Sequence, residues 1–276
     1  MTRFREFLLD GLSQFLEAGA RDVVIGDLAE LNLGLPQTVC ELCGLIARQQ
    51  ARLWKDWHPW LALLGVAALV GIRLNFTAGA LSGVPWINLR TYLAHGVGYH
   101  HGLTTSEQVI SWLSHAVAVM VWSWTAGFAY TSLARRTAPV TGVLLCFAWL
   151  CWNGFWVGRS LLVSQWLFAL LWSISLMFFF LPAVWGAKQA FRIGDLAFQQ
   201  AVFLLLLTVC LIAFETWTSG WPQAGLERWS EGAMHGGIPW YRRLLPFLLL
   251  SWPSAWIVVS SSRHRRRILL KLRSGD

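Results

Sequence analysis

Four histidines, His95, His100, His101 and His235, fall in two stretches that lie between long apolar runs. Imidazoles that converge can bind Zn²⁺ or Cu²⁺, which makes these four the candidate metal ligands. Loop histidines without a carboxylate or thiolate partner are more often simply solvated. His115 is the one histidine inside an apolar run. A membrane haem with two axial histidines needs a second at similar depth, and the sequence supplies none. Trp122 and Trp124 follow His115, and Trp149, Trp152 and Trp156 come later. Such indoles can line a cavity for a flat apolar ligand such as a quinone, or pack between helices. His115, Trp122 and Trp124 are therefore the candidate cofactor-facing residues, although no cofactor is predicted.

The five cysteines include Cys40 and Cys43 in the stretch CELC. A zinc site needs a second such pair or suitably spaced histidines, and a thioredoxin-like motif needs a βαβ setting. Neither is present, and on a helix residues 40 and 43 share a face, so both are expected to be small packing residues. The odd count argues against a disulfide framework.

No phosphate loop, nucleophile elbow, HExxH zinc motif, dinucleotide fingerprint or paired carboxylate site occurs. No catalytic residue is assigned, and an enzyme is unsupported.

The elements that must carry these residues are set by composition. Of 276 residues, 56% are hydrophobic and 13% charged, against roughly 25% charged in a soluble domain. The expected fold is an all-α polytopic membrane bundle with a small N-terminal cytoplasmic helical segment. Six apolar runs are candidate spans: 60–80, 109–131, 139–158, 162–184, 198–216 and 244–262. The third and fourth are so close that they form a tight hairpin or a pair of half-helices. The division expected is 1–57 as the cytoplasmic helical segment, 58–262 as the bundle and 263–276 as a basic tail. No apolar h-region stands in Met1 to Asp10, so insertion by the first span is expected.

Sixteen of the 22 Lys and Arg residues fall before the first span, between the second and third, between the fourth and fifth, or after the sixth. Positive charge is held on the cytoplasmic side, so both termini are expected to be cytoplasmic, in a bacterial inner membrane. The net charge of +8 follows from the same anchoring, and no nucleic-acid signature accompanies it. Arg263, Arg265, Arg266 and Arg267 directly follow the last span. They are the topology anchor and a candidate contact for anionic lipid headgroups, at about 1 kcal/mol each.

Arg73 lies within the first span and is expected to snorkel outward. No Asp, Glu or Lys stands at a span centre, so a proton relay is missing. Gly154 and Gly158 form a GxxxG face that lets another backbone come close, within the chain or between copies. Asn153 beside them can hydrogen-bond across that contact. Most other tryptophans, including Trp54, Trp57 and Trp60, suit an interfacial belt.

Ahead of the bundle, Phe4, Leu8, Leu12 and Phe15 or Leu16 make one apolar stripe, which Gly19 is expected to end. Asp22 then suits the cap of a second helix, with Val24, Ile25, Leu28 and Leu31 facing one way and Asp27 and Glu30 facing water. A third helix is expected from Pro36 to about Trp57.

FREFLL, FLEAGARDVVIGDLAELN and ARQQARLWKDW together resemble the N-terminal permease-prefix region of bacterial membrane proteins. The matching positions are Arg21, Gly26, Asp27, Leu28 and Glu30, then Arg48, Arg52 and Trp54. That resemblance covers about the first 57 residues. It implies docking of a partner, through Arg21, Asp27 and Glu30, and in fused macrolide-exporter-type permeases it implies an ATPase. Those permeases have about four spans and a large extracytoplasmic domain after the first, which this chain lacks. The stretch VWSWTAGFAYTSLARRT is similar to uncharacterised six-span bacterial proteins.

Three functions are thus open: a structural or accessory subunit that docks a partner, a permease component working with an ATPase, and a quinone- or haem-binding redox subunit. The first is the leading expectation, with the lipid bilayer as its medium and a homo-oligomer as one form of assembly.

Overall fold

The run LALLGVAALV has no side chain able to bond its own backbone, and in hydrocarbon each unpaired N–H or C=O costs several kcal/mol. Helix is the structure that pairs those groups within the segment. The computed structural model of the chain describes residues 9, 11–13, 16, 18–30, 34–75, 77–79, 81, 105–162, 166–218 and 247–262. Among them there is no strand, and the protein is an all-α helical membrane bundle.

Two helices precede the apolar ones: α1 (Ala18–Glu30) and α2 (Leu35–Leu53). Then come α3 (Trp57–Gly79), α4 (Thr105–Leu133), α5 (Ala138–Leu162), α6 (Trp166–Ile193), α7 (Phe198–Thr218) and α8 (Phe247–Ser262). Segments of α3, α4, α5 and α6 are long and apolar enough to cross a membrane. The apolar helices Phe198–Phe214 and Phe247–Ser262 are shorter. Helices thus lie where all six apolar runs were expected. Both α5 and α6 are full helices, so the half-helix alternative for the third and fourth runs is excluded.

Lipid is also what the outer surface requires. Phe147, Phe155 and Phe203 are 67%, 63% and 66% exposed, and the outer faces of α5 and α6 carry many more such residues. Contiguous apolar surface on this scale is a liability in water and ordinary against acyl chains.

At the centre stands α4. Its Ala118, Trp122 and Ala126 pack with Ala62, Val66, Val70 and Leu74 of α3, together with Ile212 of α7 and Leu250 of α8. Its Phe128 and Ala129 pack with Ala190, Ala201 and Ile257. The most extensive contact in the bundle joins α4 to α6, and two glycines make it possible. A Cβ added at Gly127 would lie 1.9 Å from the Ala183 carbonyl oxygen, and one at Gly186 would lie 2.2 Å from that of Trp124. Backbone meets backbone at both points, the close approach that small residues permit in membranes. By contrast, a Cβ at Gly154 or Gly158 meets nothing within 4 Å. The expected GxxxG face therefore seats no described helix of this chain.

Helix α6 runs beyond the expected end at 184, through Pro182 and Gly186 to Ile193. Gly194 takes φ +76°, and its N–H bonds the Ala190 carbonyl at 3.0 Å, a left-handed stop that glycine allows without strain. Arg135, between α4 and α5, adds a second cap by donating from Nη2 to the Phe191 carbonyl at 2.8 Å.

A corner of aromatic and polar groups joins α2 to α3. Asp56 accepts from the Trp57 N–H at 2.7 Å and pairs with His58 Nδ1 at 3.0 Å. The hydrogen bond from His58 is the main reason that the Asp56 carboxyl sits below its usual range. Trp60 Nε1 donates to the Trp54 carbonyl at 2.9 Å, and the two indoles meet edge to face at 4.8 Å. Helix α3 then continues as a π-helix over Leu61–Val70, a form that is rare beyond a single turn.

Several expectations for residues 1–57 need correction. Asp22 lies inside α1 rather than at its start, because the helix begins at Ala18 and passes through Gly19. Glycine inside a helix costs only about 1 kcal/mol relative to alanine. That is less than α1 gains by packing Val24 and Leu28 on Leu42 and Ile46 of α2, with Val140 of α5 beside them. Ile25 is exposed instead of joining that stripe. On α2 the buried face is Thr38, Leu42, Ile46 and Gln50, which leaves the Cys40 and Cys43 thiols exposed rather than packed. The helix ends at Leu53 instead of Trp57, since a turn at 54–56 precedes the Asp56 cap.

Candidate functional site

Between α5 and the body formed by α3, α4 and α6 runs a slot of about 480 Å³. Val66, Ala67, Ile72 and Leu74 wall it from α3, Ala126 and Gly127 from α4, Leu145 and Trp152 from α5, and Phe179 and Ala183 from α6. Among the described residues no charged side chain lines it. This volume falls in the usual range for a ligand site, roughly 300–1,000 Å³.

Hydrogen bonds hold the aromatic wall rigid. Trp149 of α5 donates from Nε1 to Asn75 Oδ1 of α3 at 3.0 Å. Its ring stacks on Phe180 of α6, centroids 5.3 Å apart and planes 14° from parallel, and leans on Phe179. Asn153 donates to the Trp149 carbonyl at 3.0 Å and accepts from Trp172 Nε1 of α6 at 3.4 Å. Three helices are thereby linked through two tryptophans and two asparagines. Asn75 still carries two Nδ2 donors, and it lines the slot.

Toward the Arg135–Arg136 connection the slot has a second polar group. Tyr130 of α4 shares a short hydrogen bond with Thr141 of α5. Beside it, Thr131 lines the slot and is 1% exposed, and its hydroxyl has no hydrogen-bond partner among the described residues. A buried hydroxyl left unpaired costs about 1–3 kcal/mol, so its position calls for an acceptor.

The residues expected to hold a cofactor are not brought together. His115 is buried in α4 and is not among the residues that line the slot. Trp122 is in the α3–α4 core. Trp124 turns toward α6 and α7, stacks on Phe128 and meets Trp185 edge to face. There it borders an open depression of about 570 Å³ with Gln189, Gln199 and Gln200. Of the indoles that could line one cavity, Trp149 and Trp152 border the slot, and Trp122 and Trp124 do not. Like His115, Asn153 is not among the residues that line the slot.

His95, His100, His101 and His235 lie outside the described residues, as do Arg263, Arg265, Arg266 and Arg267. Among the described residues no group of three His, Cys, Asp or Glu side chains can hold a metal ion. Arg73 is half-buried in α3, and its Nε has no hydrogen-bond partner among the described residues.

On α1, Asp27 and Glu30 are exposed and Arg21 is half-buried. Val23, 62% exposed, stands one turn before Asp27, so residues 23, 27 and 30 share the outward face.

Sequence reasoning missed Gly127, Gly186, Tyr130 and Thr131. Gly127 and Gly186 carried a readable signal, being isolated glycines within otherwise continuous apolar helices. Thr131 carried none. Comparison of the chain with known protein families, curated proteins and solved structures returns no match. Its fold and the slot together define it as a helical membrane protein with an apolar, aromatic-walled space between its helices.

Proposed function

We propose that the protein is a six-span accessory subunit of the bacterial inner membrane, with both termini cytoplasmic, that docks a partner through α1. The observation that carries this reading is the division of α1 into two faces. Val24 and Leu28 fix it on α2 and beside Val140 of α5, while Val23, Asp27 and Glu30 project outward. An apolar side chain flanked by two acids suits a partner surface with an apolar pocket rimmed by Lys or Arg. The resemblance of residues 1–57 to permease-prefix regions supports the same role.

Six spans require α7 and α8 to cross as well: α7 extends about 31 Å, comparable with a hydrocarbon core of roughly 30 Å, and the described Phe247–Ser262 part of α8 extends about 24 Å. In this topology the Arg263–Arg267 stretch lies at the cytoplasmic leaflet, where it holds anionic headgroups. The outward surface around Gly154 is then the candidate contact between copies.

The test is affinity purification in mild detergent of the wild type and of Asp27→Lys/Glu30→Lys. One protein recovered stoichiometrically with the wild type and lost with the double variant is expected. Identical recovery from both, or none from either, refutes docking through α1. If that protein is an ATPase, the role becomes that of a permease component.

A further inference from the structure

We propose that the slot between α5 and the α3–α4–α6 body holds one hydrocarbon chain of a membrane lipid, extended along the helix axes.

Shape comes first. From Ala138 to Trp152, both on its wall, α5 rises about 21 Å, so the space is long and narrow and parallels the helices. Its walls are mostly alkyl and aromatic, with Asn75, Tyr130 and Thr131 as the polar exceptions, and among the described residues no charge lines them. Water is a poor occupant, because an ordered water needs two to four polar partners and few are present. An empty slot is no better, since every lining atom then lacks dispersion contacts on one side. The surrounding solvent of this bundle is itself hydrocarbon, and a chain from it fills the space without desolvation.

Polarity gives the direction. Tyr130, Thr131 and Thr141 lie where α4 ends and α5 begins, beside Arg135 and Arg136. Tyr130 lines the slot there, and its hydroxyl, shared with Thr141, marks that end as the place for a carbonyl or hydroxyl oxygen at the head of the chain. At the far end, Trp149 on Phe180, fixed by Asn75, closes the slot around the tail. Two sources provide such a molecule: an acyl chain with its ester carbonyl, or a prenyl chain on a carbonyl-bearing ring.

Because lipid tails are as apolar as the walls, no hydrophobic term favours binding over bulk lipid. Retention depends on packing, which can be removed. Gly142 lines the slot, and a Cβ added there meets nothing within 4 Å, so Gly142→Leu grows into the space without a clash at its first carbon. Gly142→Val makes the same change with a smaller side chain.

The experiment places full-length protein in lipid nanodiscs that contain phosphatidylglycerol with a diazirine midway along one acyl chain. After irradiation, labelled residues are mapped by mass spectrometry. Leu145, Trp149 and Phe180 are expected to label several-fold more than the outward Phe147, Phe155 and Phe203. Gly142→Leu lowers the inward labelling to the outward level. Gly142→Val lowers it by a smaller factor. Should Gly142→Leu fail to fold, Gly142→Val decides. Displacement of the probe by unlabelled phosphatidylglycerol alone identifies an acyl chain, and displacement by a small excess of prenylated quinone identifies a prenyl chain. Equal inward and outward labelling, labelling unmoved by the variants, or no displacement by either lipid overturns the proposal. None of these outcomes depends on docking through α1.

Discussion

Replacing Gly127 with alanine adds a single methyl group at the tightest contact in the bundle. The new Cβ would stand 1.9 Å from the carbonyl oxygen of Ala183, 2.7 Å from its carbonyl carbon and 2.9 Å from its Cα. These are backbone atoms of a neighbouring helix, so no side-chain rotation relieves the clash. To reach ordinary contact at 3.4 Å, α4 and α6 must part by about 1.5 Å along that line. A gap of even 0.5–1 Å forfeits a quarter to a half of each dispersion contact along the seam. Overpacking in cores usually costs about 1–3 kcal/mol, and this case belongs at or above the upper end. At about 2–4 °C per kcal/mol for a chain of this size, Gly127→Ala lowers Tm by about 6–12 °C. The assay is thermal unfolding in detergent, followed by circular dichroism, with Gly154→Ala as the partner measurement. Gly154→Ala meets nothing and replaces glycine in a helix, so its Tm stays level or rises slightly. Equal destabilisation by the two variants, or none by Gly127→Ala, would falsify the assignment of α4–α6 as the close crossing.

Two other outcomes follow from the site and the α2–α3 corner. Trp149→Phe keeps a ring against Phe180 but deletes the donor to Asn75, and it costs about 0.6–1.7 kcal/mol, measured as a lower Tm. No loss in this variant shows that the bond is incidental to how α5 is held. At the corner, Asp56 has a depressed folded-state pKa, so its contribution to stability is complete above the usual carboxylate range and is lost as pH falls through the folded value. Tryptophan emission from the Trp54, Trp57 and Trp60 corner is expected to change at that acid end in the wild type and to flatten in Asp56→Asn. An unaltered acid transition in Asp56→Asn assigns it to other carboxylates.

The apolar runs were legible because a membrane imposes one simple rule, continuous hydrophobicity over a fixed thickness, and helices occupy all six places. Details set by neighbours were not. Gly127 and Gly186 stand out only as isolated glycines, and the GxxxG spacing pointed instead to Gly154 and Gly158, the pair that seats no described helix. The reciprocal contact needs glycines on two different helices at one height, and spacing within one helix does not record that. Cys40 and Cys43 share a face, as their spacing says, yet which face of α2 meets α1 is decided by Leu42 and Ile46. Asn75 is buried, and its partner lies 74 residues away on α5, a pairing that no local pattern records. The tryptophans of α4 and α5 suit either a cavity wall or packing between helices, and only the fold tells which of them surround the same space.

The slot and the tight crossing have one cause. A bundle helix approaches its neighbour closely only where both present small residues, and α4 and α6 do so at Gly127 and Gly186. Helix α5 presents Trp149 and Trp152 to the same body, and its Gly142 meets no atom across the gap. Large rings therefore hold α5 away at mid-helix, and the Tyr130–Thr141 bond pins it at its first turns. Pinned near its start and propped at mid-helix, α5 leaves a channel beside α4 that neither set of side chains fills. Shortening the prop with Trp152→Ala enlarges the slot and leaves Trp149 in place. Lengthening a wall at Gly142 closes it. The geometry of α5 sets the size of the space, and the α4–α6 contact sets the rigidity of the wall behind it.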